Sequence, residues 1–181
     1  MANGGGSHAE GYHEKVYNKT SHGTGKDEIL SKWNEIPSGQ RFSLAKSKAS
    51  HTEGNGTLAL DYYAHAEGQD TVAYGEASHA EGHRTEAKGK YAHSEGNDTH
   101  ALGVWSHAEG ESTTAYGASS HVEGRGTQTG NGEPGLGNYA HAEGDHTRAE
   151  GNYSHAEGFE TYAYGIGSHV EGNATFAPGA Y

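Results

Sequence analysis

The fourteen residues Ser78–Tyr91, which read SHAEGHRTEAKGKY, decide the fold of this chain. The following residues, Ala92–Gly96, restart the same pattern, and the word His-x-Glu-Gly occurs ten times in 181 residues, mostly at intervals of 14. A fixed short period of this kind is typical of a repeat protein in which each unit stacks on the next. The words begin at His8, His51, His65, His79, His93, His107, His121, His141, His155 and His169.

Two intervals between the words are longer and mark insertions. The first interval is 43 residues, and the one after the seventh word is 20 residues. We therefore predict a Gly-rich leader over residues 1–6 and a repeat domain over 7–181. An insertion of different composition interrupts it at about 12–42, and a loop insertion interrupts it at about 130–137.

Each unit predicts one coil of an all-β fold. A period of 14 residues is shorter than helical or leucine-rich repeats, and it contains two stretches that alternate with period 2, Ser-His-Ala-Glu-Gly and Thr-x-Ala-x-Gly. Between them lie turn-forming pairs such as Asn55-Gly56 and Asn97-Asp98. The sequence predicts a parallel β-roll or β-solenoid of ten coils, with two short strands in each coil.

Alternation along these strands predicts a core of small side chains. Ser or Ala before each histidine, the residue between His and Glu, and the Thr and Ala of the second strand all fall on the inward face. A regular threonine column also suits an ice-binding surface, but its partner column is alanine, which favours an inward hydroxyl column. So small a core buries little apolar area, which indicates that further burial occurs between chains.

Histidine and glutamate fall on the opposite, outward face in two columns. We interpret them as a structural ladder at an oligomer interface, because every unit repeats the pair and bare stacked carboxylates would repel one another. Metal binding and His–Glu catalysis are the weaker alternatives, so we predict no catalytic, cofactor-binding or metal-binding residues. The ladder comprises His51, His65, His79, His93, His107, His121, His141, His155, His169, Glu53, Glu67, Glu81, Glu95, Glu109, Glu123, Glu143, Glu157 and Glu171.

A third column, just before the Ser/Ala-His step, is rich in aromatic residues. It is either a packing ladder between subunits or an exposed stripe that stacks on the sugar rings of a glycan. Its aromatic members are Tyr63, Tyr91, Trp105, Tyr139, Tyr153 and Tyr181.

Composition excludes several classes of function. The formal net charge of −12 argues against a nucleic-acid partner, and the chain has no apolar run long enough to insert in a membrane. There is no cysteine, and the N-terminus encodes no Sec signal peptide. No arrangement of residues resembles a nucleophile with an oxyanion site, so we expect no enzyme and no cofactor.

The first insertion contains a candidate helix. Asp27–Asn34 places Ile29, Leu30 and Trp33 on one face, and Pro37 ends it. We interpret the insertion as a cap over the first coil or, alternatively, as a docking element for another protein. The second insertion predicts a loop that projects from the rod.

The repeat resembles the head repeat of trimeric autotransporter adhesins of the YadA type, in which Ser-Val-Ala-Ile-Gly recurs with the same period. His79 and Glu81 stand where that family has Val and Ile. The Ser-His-Ala-Glu-Gly motif is similar to repeats of phage and prophage tail fibre and tailspike proteins. The resemblance covers the ten units and implies a left-handed parallel β-roll that assembles as a parallel homotrimer with binding as its role.

The resemblance therefore implies a non-enzymatic structural or receptor-binding fibre module of a phage tail or related particle. Its expected location is the virion tail or an extracellular surface, and its expected ligand is on a cell surface, such as a glycan. The alternative is a self-polymerising extracellular filament subunit. That alternative rests on the final coil, which ends without a capping sequence and would let copies stack head to tail.

Overall fold

Two parallel sheets of ten strands each form this protein, and the chain passes from one sheet to the other twice in every coil. The computed structural model describes residues 8–10, 25–38 and 40–179. The parallel β-solenoid of ten coils predicted from the 14-residue period is confirmed.

The first sheet contains the long strands, each of which begins at the histidine of the word. They are β1 (His8–Glu10), β3 (His51–Asn55), β5 (His65–Gln69), β7 (His79–His83), β9 (His93–Asn97), β11 (His107–Glu111), β13 (His121–Arg125), β15 (His141–Asp145), β17 (His155–Phe159) and β19 (His169–Asn173).

The second sheet contains the short strands, each of two residues. They are β2 (Leu44–Ala45), β4 (Leu58–Ala59), β6 (Val72–Ala73), β8 (Glu86–Ala87), β10 (His100–Ala101), β12 (Thr114–Ala115), β14 (Gln128–Thr129), β16 (Arg148–Ala149), β18 (Tyr162–Ala163) and β20 (Phe176–Ala177). The one helix among the described residues is α1 (Lys26–Asn34).

Like residues of successive coils lie side by side. In the long-strand sheet His79 pairs with His93 and Glu81 with Glu95, and the pairing remains in register across both insertions. The first coil consists of β1 and β2, so the long insertion lies inside the first unit. Register is fixed because a shift by one residue would turn the small core side chains outward.

The second strand is shorter than the five residues predicted from alternation. The backbone N–H groups of Lys88 and Gly89 both donate to the carbonyl oxygen of Ala101, at 2.8 and 3.2 Å. Two donors that converge on one acceptor mark the point where the ladder ends and the corner begins. Ser106 completes the next such corner by donating its hydroxyl to the Gly103 carbonyl oxygen at 2.7 Å.

The core between the sheets consists of small side chains, as predicted. Ala80, Thr85 and Ala87 of one coil are at most 1% exposed, and Val122 is one of the few larger residues there. The threonines of the column from Thr57 to Thr161 are at most 1% exposed. Six of their hydroxyls have no hydrogen-bond partner among the described residues, whereas the Thr99 hydroxyl lies 2.8 Å from that of Ser94. The threonine column is therefore inward and is not available as an external ice-binding surface.

Helix α1 of the first insertion lies on the outward face of the short-strand sheet. Trp33 is 2% exposed, and its indole Nε1 donates to the Phe42 carbonyl oxygen at 3.1 Å. Around it the helix covers Leu44, Leu58 and Val72 of the first three short strands. The predicted helix is confirmed, one residue longer at its start. Residues 1–6 and 12–24 of the predicted leader and insertion lie outside the described residues.

Candidate functional site

Nine histidine rings from successive coils stack in one column on the outward face of the long-strand sheet. Neighbouring ring centroids lie 4.6–4.9 Å apart, and every pair except the first is within 26° of parallel. The strands themselves set this spacing, because the rings repeat the separation of hydrogen-bonded strands. We call this set, with the glutamates two residues after each ring, the histidine–glutamate column; it runs from His51 to Glu171.

Seven of the nine rings lie within 4.0 Å of the carboxylate of their own coil, at distances longer than a hydrogen bond of about 2.7–3.2 Å. The predicted pairing of rings and carboxylates therefore brings them together without direct hydrogen bonds. The Nε2 to Oε2 distance is 3.5 Å at His65 and His141, 3.6 Å at His79, 3.7 Å at His93 and His107, and 4.0 Å at His51 and His121.

The inner ring nitrogens are sequestered although the rings are only partly buried. About a third of the His79 and His107 side chains is exposed, 36% and 34%. Their Nε2 atoms nevertheless have almost no contact with solvent and no hydrogen-bond partner among the described residues. The same holds for the Nε2 atoms of His65, His93, His121, His141 and His155.

This setting disfavours the protonated imidazole. Burial lowers the pKa of His79 below its ordinary value, the stacked His65 and His93 lower it further, and Glu81 partly opposes them. Burial and the neighbouring rings also lower the pKa of His107. A proton on one ring would place its charge within 5 Å of the next ring, where like charges repel.

We expect the folded protein to lose stability as the pH falls below about 6.5, the ordinary pKa of histidine. The lowered pKa values of His65, His79, His107 and His155 mean that the unfolded chain takes up protons first. This contribution to stability is therefore fully present above about pH 6.5. It decreases as the pH falls towards the lowered pKa values that these four histidines have in the folded protein. Melting curves in metal-free buffer at pH 7.5 and 5.5 should differ by a few degrees, on the order expected for a chain of this size.

The double variant His79→Asn and His107→Asn is the control for this pH dependence. It removes two of the four rings whose pKa is lowered, so the difference between the melting temperatures at pH 7.5 and 5.5 should become smaller. An equal or higher melting temperature at pH 5.5 for the unaltered chain would contradict the prediction.

The aromatic column lies on a corner of every coil and is exposed. Its described members, Tyr63, Tyr91, Trp105, Tyr139 and Tyr153, are 44–63% exposed and have φ between 57° and 60°. This is the left-handed region, which costs residues other than glycine about 1–2 kcal/mol. Tyr181, the sixth predicted member, lies outside the described residues.

Small residues divide this column into pairs. The Tyr91 and Trp105 rings stack with centroids 6.1 Å apart, and the Tyr139 and Tyr153 rings stack at 5.0 Å. Between the pairs the same corner carries Ser119. Ala77 and Gly167 hold the equivalent corners on either side of the two pairs.

One charged groove was not predicted from the sequence. It lies between α1 and the short-strand sheet, and its lining includes Arg84 and Asp98, whose side chains approach to 3.3 Å, and His100. The signal in the sequence is an apolar residue, such as Leu58 or Val72, in an outward position that is polar in the following coils. That change marks the part of the sheet that the insertion covers.

No protein-family model matches this chain, and a comparison with curated proteins gives no match. Among the described residues, no helix has the length and apolar character needed to cross a membrane.

Proposed function

We propose that this chain is a non-enzymatic fibre module that binds a cell-surface glycan, and that three copies assemble side by side as a parallel homotrimer. The exposed aromatic column carries the proposal. It presents five large exposed rings along one edge of the repeat, at corners where the backbone has the same left-handed conformation.

The stability of a single folded chain does not explain why aromatic residues occupy these corners. The left-handed corner is favourable for glycine, and Gly167 occupies it with φ of 66°. Tyr91 and Trp105 instead expose 44% and 62% of their surface in this conformation. Aromatic side chains of this kind are enriched where proteins bind ligands and partners, because one ring offers a large apolar face.

The small residues give the column a shape that suits sugar rings. Trp105 and Tyr139 flank the coil of Ser119, so their facing surfaces are two coil steps apart, about 10 Å at ordinary strand spacing. A gap of this size admits one pyranose ring between two aromatic faces. Ala77 lies three coils from Ser119 between the rings of Tyr63 and Tyr91, so an equivalent gap recurs about 14 Å away.

The trimer is supported by the composition of the core. The interior between the sheets is built from Ala, Thr and Ser, which bury little apolar area per residue. Association of chains would add the burial that the single chain lacks. The location of such a fibre on a phage tail or related particle is supported only by the resemblance of the repeat motif to those of phage tail fibre and tailspike proteins.

Binding to a glycan array tests the proposed ligand. We expect the double variant Tyr91→Ala and Trp105→Ala to bind at least tenfold more weakly, a loss of about 1.4 kcal/mol. Ser119→Tyr should also lose binding, since it fills the gap with a ring at a corner that already accepts tyrosine. Unchanged binding in both variants would overturn the aromatic-column proposal, provided that their melting temperatures match the unaltered chain.

Native mass spectrometry and electron microscopy test the assembly. A species of three times 19.0 kDa and discrete short rods are the expected results. Long filaments would instead support the alternative of a self-polymerising subunit.

A further inference from the structure

The histidine–glutamate column contains groups of residues with the chemistry of a metal site. In each of four groups, two histidines from adjacent coils and one glutamate offer ligand atoms that all lie within 4.8 Å of one another. The groups are His65–Glu67–His79, His79–Glu81–His93, His107–Glu109–His121 and His141–Glu143–His155.

The separation of ring and carboxylate within a group is close to that of two ligands on one ion. Zn²⁺ lies about 2.0–2.1 Å from a histidine nitrogen and a similar distance from a carboxylate oxygen, so tetrahedral ligands are about 3.4 Å apart. The observed Nε2 to Oε2 distances are 3.5 Å for His65 with Glu67 and 3.7 Å for His107 with Glu109. They are too long for a hydrogen bond and within about 0.3 Å of the tetrahedral ligand separation.

The state of the ring nitrogens is a second observation that points to a ligand. The Nε2 atoms of His107 and His121 are shielded from solvent and have no hydrogen-bond partner among the described residues. An unsatisfied buried polar atom costs about 1–3 kcal/mol. An ion between ring and carboxylate would satisfy the nitrogen and also neutralise the stacked glutamates.

We propose that the histidine–glutamate column binds borderline divalent metal ions such as Zn²⁺. Each ion is held by the ring and carboxylate of one coil and by the ring of the next, and a fourth position remains for water. The second ring must tilt towards the ion, because neighbouring centroids are 4.8 Å apart at His107 and His121. Mg²⁺ and Ca²⁺ are disfavoured because they require oxygen ligands.

The sharing of ligands sets the stoichiometry. Two of the four groups share His79, so at most three can hold an ion at once with separate ligands. The ligands of each group come from one chain. The inference is therefore independent of the proposed trimer and of glycan binding.

Native mass spectrometry and calorimetric titration of the untagged full chain, after treatment with a chelator, test the proposal with Zn²⁺ as the probe. We expect up to three bound ions per chain at micromolar Zn²⁺, and none with Mg²⁺ or Ca²⁺ at the same concentration. Glu109→Gln removes one carboxylate while keeping its size, and the count should fall by one. His121→Asn, which removes a ring of the same group, should have the same effect.

His100→Asn is the matched control. His100 lies on the other sheet with Nδ1 3.6 Å from a Glu86 oxygen and Nε2 3.9 Å from an Asp98 oxygen, but it belongs to none of the four groups. Its variant should bind as many ions as the unaltered chain. Absence of Zn²⁺ binding, or an equal loss in His100→Asn and Glu109→Gln, would overturn the proposal. Circular dichroism of each variant establishes that the coils are folded.

Discussion

Gly110→Ala is expected to destabilise the protein by about 3–5 kcal/mol, from backbone strain and overlap together. Gly110 has φ of 102°, which side chains of L-residues rarely adopt. A Cβ atom there would lie 2.1 Å from the carbonyl oxygen of Gly124 in the next coil. Neither backbone can move away freely, because Gly110 is also paired with Gly96 and Gly124 with Gly144 in the neighbouring strands. We expect the melting temperature to fall by about 10 °C.

Gly167→Ala is the control for this prediction. Gly167 has φ of 66° and no heavy atom within 4 Å of an added Cβ, and the equivalent corner already carries Ala77 with φ of 52°. Its variant should lose only about 1–2 kcal/mol relative to the unaltered chain, the cost of the left-handed conformation alone. Equal melting temperatures for the two variants would mean that the coils are not in close contact at Gly110.

The spacing of the repeats predicts most of the fold, because the number and order of the coils depend on that spacing alone. The ten coils, the inward columns and the positions of both insertions follow from where the word His-x-Glu-Gly recurs. The length of the second strand does not follow, because alternation continues through Lys88 and Gly89 while their hydrogen bonds already converge on Ala101. Strand ends depend on hydrogen-bond geometry, which a pattern of residue types does not contain.

The candidate site is predictable in part for the same reason. Alternation places the histidines and glutamates on the outward face, but it does not give the distances between Nε2 and the carboxylates. The left-handed conformation of Tyr91 and Trp105 is also not encoded locally, since aromatic residues have no preference for it. The corner imposes it, because the chain must turn there in every coil.

For the first insertion, the local sequence pattern predicts the helix but not the surface on which it packs. A helix over Asp27–Asn34 is predictable from its apolar face, yet that face has several surfaces on which to pack. The structure places it over Leu58 and Val72, whose counterparts Glu86 and His100 in the following coils are polar. Reading the outward column for apolar residues would have located the helix, since exposed Leu and Val next to an amphipathic insertion indicate a covered surface.

Trp33→Ala is expected to release α1 from the sheet at a cost of about 3–5 kcal/mol. Trp33 is 2% exposed, donates to the Phe42 carbonyl oxygen, and lies under the Arg41 guanidinium at 4.1 Å from the ring centroid. Its removal leaves a cavity against Leu44 and Leu58. In a repeat protein each unit contacts only its neighbours, so the loss should be confined to the first coils.

Hydrogen exchange measured by mass spectrometry tests this confinement. Peptides from residues 26–45 should exchange faster in Trp33→Ala, and peptides from residues 107–129 should be unchanged. Trp105→Ala is the matched control, because Trp105 is 62% exposed and its removal should leave both regions protected. Faster exchange throughout the chain in Trp33→Ala would show instead that the helix and all ten coils unfold as a single cooperative unit.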